Sequence, residues 1–154
     1  MTNFEYDDSQ KRGGGLGGTP LDWDAADLRA LLVMQGTTAH TERDSVTLSD
    51  FTDLDELTGS SNYARVTITG EALAFETSPD RKLKLNVDPV VWSALDPGDD
   101  QIKGMVVYLH VDGTAANDRP LFWIDEGGFP HDPDGSKDLQ VTFPGALKEW
   151  VSAA

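Results

Sequence analysis

A chain of 154 residues with 27 acidic against 12 basic side chains carries a formal net charge of −15, a field that repels phosphate backbones and anionic lipid and points away from nucleic-acid and membrane partners. It holds no cysteine, which removes disulfides, thiolate metal sites and cysteine nucleophiles together and leaves the redox compartment open. No stretch reaches the roughly 18 apolar residues of a membrane span, and residues 1–8 lack the basic start and apolar core of a secretion signal, so synthesis in a cytoplasm without export is expected.

The first twenty residues are polar and end in Gly13, Gly14, Gly15, Leu16, Gly17, Gly18, Thr19 and Pro20. Five glycines in the six positions 13–18 carry a large ordering entropy and offer nothing to a core. Residues 1–20 are therefore expected to form a flexible or extended N-terminal arm, with the folded domain over 21–154. The arm reads either as a solvated tail or as a docking element with apolar anchors Phe4, Tyr6 and Leu16 and basic Lys11 and Arg12, ordering on a partner.

Residues 22–35 are ambiguous. Asp22 or Asp24 suits a helix cap and Gly36 a helix end, yet Leu28, Ala30, Leu32 and Met34 alternate as a strand does. Between 44 and 59, Ser49 as N-cap, the acids at 50, 53 and 55 and the exit at Gly59 predict a helix of two turns at most. From Tyr63 the period becomes two. Ala64, Val66 and Ile68 face one side and Arg65, Thr67 and Thr69 the other. Leu73 and Phe75 follow, then Leu83, Leu85 and Val87 against Lys82, Lys84 and Asn86. Residues 102–111 are almost wholly apolar and predict a central strand buried on both faces. Residues 121–124 and the alternating Leu139, Val141 and Phe143 complete the pattern. Roughly six or seven short strands separated by turns indicate a mainly β chain, an antiparallel β-sandwich with one or two short helices.

Chemistry is sparse. His40, His110 and His131 are far apart in sequence; His110 reads as a satisfied core or edge residue and the other two as loop residues. No zincin helix motif and no nucleophile elbow is present, and the glycine run precedes no strand–helix unit. Carboxylates are so frequent that their pairing decides nothing about glycoside hydrolysis, and Trp92 and Trp123 sit in apolar contexts that favour packing. No enzyme and no cofactor is expected. The one ligand-like spacing is Asp132, Asp134 and Asp138, candidates for calcium. No glutamate closes that loop and Pro133 stiffens it, so an Asp–Gly turn is the preferred reading.

Taken in order, residues 27–33, the acidic segment 53–57, Tyr63-Ala64-Arg65-Val66, the stretches 85–92, 104–108 and 119–125, a glycine loop and a final strand at 139–143 resemble the small virion structural proteins of tailed bacteriophages. Those proteins recur beside the major capsid gene and are described as head decoration, capsid fibre or minor structural proteins. The resemblance covers residues 21–143 and departs at the N-terminal arm and at the tail containing Lys148, Glu149 and Trp150. It implies a β-sandwich seated on an assembled shell, with the major capsid protein as partner and a homo-oligomer, a trimer foremost, as the assembled form. The acidic excess argues against contact with packaged DNA and so for the outer surface of the head. The arm would then dock by adding a strand to a capsid edge. A second reading is a tail- or fibre-associated module binding host surface glycans through Trp23, Trp92 or Trp150. A third is a glycan hydrolase.

Overall fold

The apolar run after residue 101 becomes the spine of the fold. The computed structural model describes residues 3–13, 22–23, 25–76, 82–97, 101–143 and 146–151. In chain order its elements are β1 (Phe4–Glu5), α1 (Asp7–Gly13), β2 (Leu28–Met34), β3 (Val66–Thr67), β4 (Ala72–Glu76) and β5 (Lys82–Asn86). They continue with β6 (Val90–Trp92), β7 (Ile102–Leu109), β8 (Arg119–Ile124), β9 (Leu139–Val141) and β10 (Lys148–Val151). The chain is mainly β and its sheets are antiparallel, as expected. A five-stranded sheet runs β1-β8-β7-β2-β3, a three-stranded sheet β10-β5-β4, and β6 pairs with β9.

β7 is continuous in apolar residues from Gly104 to Leu109 because both its faces are covered. Ile102, Met105 and Val107 turn toward a core shared with Leu85, Val90, Trp92, Leu139 and Val141 of the smaller sheets. Val106 and Tyr108 turn the other way, into a second cluster with Tyr6, Ala39, Leu48 and Phe51. Within β7 a glycine is required. A Cβ on Gly104 would stand 2.6 Å from the Trp123 ring and 2.9 Å from the Ile124 carbonyl oxygen, so its absence lets the indole cross the strand. Gly104→Ala is expected to cost about 1–3 kcal/mol through overpacking, read as a lower urea midpoint; an unchanged midpoint would contradict the crossing.

The ambiguous segment before Gly36 resolves into a turn, with the Ala25 amide on the Asp22 carbonyl at 3.2 Å, followed by β2. The helix expected from Ser49 shrinks to a single 3₁₀ turn at Leu48–Asp50, preceded by Thr47 rather than capped by Ser49. Its continuation is taken by pairing with β2: the Met34 amide donates to Asp55 O at 2.8 Å and the Leu57 amide to Leu32 O at 2.9 Å. Main-chain bonds to a long buried strand outweigh a weak local helical preference. Leu73, on the edge strand β4, is 41% exposed.

The largest departure is N-terminal. Phe4 and Glu5 pair with Trp123 and Phe122 of β8, the Tyr6 amide donates to Leu121 O at 2.9 Å, and α1 follows directly. Tyr6 is 0% exposed. Residues 3–13 thus belong to the folded domain and are no arm, so the boundary expected at 20/21 does not hold for them. Burial of an aromatic ring, worth roughly 2–3 kcal/mol, and hydrogen bonds to β8 offset the entropy of ordering the segment. Residues 14–20, Leu16 among them, lie outside the described residues.

Candidate functional site

Edge strand β1 is only two residues long, and beside it the structure leaves a cleft of about 610 Å³. Its floor is Phe122, Ile124, Phe143 and Leu147, and its rim carries Asn3, Glu5, Glu126, Thr142 and Lys148. The alternation of β8 sets the floor: Phe122 and Ile124 point toward the larger core cluster, where Phe143 and Leu147 also pack. At one end Lys148 Nζ forms an ion pair with Glu5 Oε2, joining the N-terminal strand to β10 of the other sheet. The Lys148 ammonium also lies 5.7 Å from the centre of the Trp23 ring. Ser9 Oγ donates to Glu5 Oε1 at 2.7 Å, and the Asp125 amide donates to Asn3 Oδ1 at 3.0 Å. An apolar floor, a polar rim and a short open sheet edge suit an extended peptide better than a small polar substrate.

A polar network lies at the end of β7. Arg65 grips Glu56 through two donors, Nε at 2.8 Å and Nη2 at 2.7 Å. Its third nitrogen stands 3.8 Å from Asp118 Oδ2, and its guanidinium lies 5.3 Å from the Tyr108 ring centre. Tyr63 donates to Glu56 Oε1 at 2.8 Å and accepts from the Leu32 amide at 3.1 Å. Asp118, 1% exposed, accepts from the Val111 amide at 3.2 Å and lies 3.0 Å from His110 Nδ1. Hydrogen bonding to Glu56 raises the Arg65 pKa, so the guanidinium stays charged. Burial, first among the causes, raises the hydroxyl pKa of Tyr6, Tyr63 and Tyr108, so each stays neutral. The network fastens the loops around 56–65 and 110–118 to the sheet.

The residues singled out from the sequence scatter. Phe4 lines the cleft, with its ring 4.4 Å from the Arg43 guanidinium carbon, whereas Tyr6 is in the core with its hydroxyl on Ala39 O at 2.8 Å. Of Lys11 and Arg12 only the backbone, in α1, is described. The calcium candidates serve separate tasks: Asp134 accepts from the Ser136 amide at 2.9 Å and from its hydroxyl at 2.8 Å, while Asp138 accepts from the Ala94 amide at 2.9 Å. Asp132 is exposed. Among the described residues no three acidic or histidine side chains form a metal group. As for the glycan platforms, Trp23 is 6% and Trp92 3% exposed, with Trp92 Nε1 bonded to Ala64 O at 2.9 Å; the Trp150 side chain lies outside the description.

Sequence reasoning missed Glu5, Thr142 and Lys148 at the cleft and Glu56, Arg65 and Asp118 in the network. Partners more than 140 residues apart, as in the Glu5–Lys148 pair, leave no local signature. No helix among the described residues is long and apolar enough to cross a membrane. No protein family, curated protein or solved structure matches the chain.

Proposed function

We propose that this chain is a non-catalytic structural protein of a tailed-phage particle, a decoration protein bound to the outside of the assembled capsid with the major capsid protein as its partner. The observation that carries the reading is where the resemblance to small virion proteins falls. Residues 27–33, 85–92, 104–108, 119–125 and 139–143 contribute to β2, β5, β6, β7, β8 and β9, the strands that enclose the larger core cluster. We read the two smaller sheets over one face of the large one as the second layer of a sandwich. The charge of −15 favours the outer surface, because an acidic face is repelled by packaged DNA. With Tyr6 built into the core, docking passes from a free arm to the cleft beside β1, where an extended capsid segment would gain main-chain hydrogen bonds at the sheet edge. The glycan reading is weakened by the burial of Trp23 and Trp92.

The test is co-sedimentation with assembled capsid shells. Capture saturating at a fixed ratio to capsid protein is the expected result, and absence of capture overturns the reading. Thr142 is exposed at the cleft rim, so Thr142→Trp fills the cleft without disturbing the core. It is expected to weaken capture about tenfold, roughly 1.4 kcal/mol; unchanged capture would remove the contact from the cleft.

A further inference from the structure

The contacts that seat residues 3–10 are made with distant parts of the chain. Phe4 and Glu5 pair with Trp123 and Phe122. The Tyr6 amide bonds to Leu121 O and the Asp7 amide to Arg43 O, each at 2.9 Å. Asp8 accepts from Arg119 Nη1 at 3.1 Å, and Glu5 is ion-paired with Lys148. Tyr6 reaches Ala39 across 33 residues of sequence. Bonds inside the segment, Ser9 to Glu5 and the Gln10 amide to Tyr6 O, hold its own shape. It is a small preshaped unit on a non-local seat. The connector to the rest of the chain, residues 14–21, contains Gly14, Gly15, Gly17 and Gly18, a composition that sets no preferred direction.

We propose that this seat also accepts residues 3–13 of a second copy of the chain, so that copies exchange β1 and α1 reciprocally. The occupant that fits the seat is known, and a neighbouring copy carries the identical segment. Every seating contact is therefore reproduced between chains, and the balance between closed and exchanged forms rests on the connector. Closure within one chain is favoured by the effective concentration that a short glycine-rich connection gives, in the millimolar range. Exchange gains as protein concentration approaches that value, or when copies are held side by side. The eight residues 14–21 reach at most about 29 Å when extended, which sets the limit on how far apart exchanging copies can lie. The exchange does not rest on the capsid reading, because it is measured in solution with no shell present.

The chain has no cysteine, so introduced thiols report single contacts. Full-length Glu5→Cys and Lys148→Cys proteins are mixed over a range of concentrations, equilibrated and treated with a short bis-maleimide, whose spacer replaces the length lost from the two side chains. A cross-link between the two variants forms in quantity when the segment of one sits on the seat of the other. The control replaces Lys148→Cys with Thr58→Cys, an exposed position next to Leu57, which bonds to β2 on the side of the sheet away from β1. Mixed dimer rising with concentration, at least fivefold above the control, is the expected result; equal yields at every concentration overturn the proposal. As a second measurement, light scattering on the unmodified chain over the same concentrations should show dimer rising with concentration. A monomer at every concentration also contradicts exchange.

Discussion

Tyr6→Ala is expected to lower unfolding free energy by about 3–5 kcal/mol, the range for truncating a buried aromatic side chain. The ring is fully buried, 5.1 Å from Phe4 and 5.6 Å from Phe51 between centroids. It fills the cluster on the face of the five-stranded sheet that the smaller sheets leave uncovered. Tyr6→Phe keeps the ring but removes the donor to Ala39 O, which should cost about 1–2 kcal/mol. Against a total of roughly 5–15 kcal/mol for a domain, the alanine change is large. Urea unfolding reads both as a lower midpoint. A midpoint unchanged by Tyr6→Ala would mean that the residue belongs to a free arm after all.

The second large effect is expected at Asp118. Its carboxylate is almost fully buried and serves the Val111 amide, His110 and the flank of Arg65 together. Asp118→Ala strands those groups and should cost about 3 kcal/mol. Asp118→Asn retains an acceptor for the Val111 amide and should cost less. If the network acts as a unit, combining Asp118→Ala with Arg65→Met should cost less than the sum of the single changes. A loss below about 0.5 kcal/mol for Asp118→Ala would show that the network does not fasten the two loops.

The central sheet was legible because its strands signal themselves locally. Ile102 to Leu109 is apolar on both faces apart from Lys103, and Leu121 to Ile124 is compact and bounded by turn residues, so β7 and β8 were expected close to where they lie. The alternation through Leu139 and Val141 likewise marks β9. β1 had no such signal: two residues cannot show a period, and the glycines that follow argue for a tail. What orders it is Tyr6 meeting a hole lined by Ala39, Leu48, Phe51 and Val106, a fact of tertiary packing. β10 was hidden for the same reason, since Lys148 and Glu149 pair with Leu85 and Lys84 far earlier in the chain. The shortened helix at Leu48–Asp50 shows the converse: acids and a serine promised a helix, and pairing with β2 took the residues after it. The candidate cleft was not legible, because its floor joins β8 to residues 143 and 147, which local pattern does not connect.

These features form one account. The core consumes Trp23, Trp92 and Trp123, and the N-terminal segment closes the open edge of β8. The cleft beside β1 keeps an apolar floor and a polar rim. Electron cryo-microscopy of capsid shells incubated with the purified chain tests the proposed decoration role most directly. The account predicts regular added density at symmetry-related positions on the outer surface, seated through the β1 edge. Bare shells, or density confined to the inner surface, would contradict it.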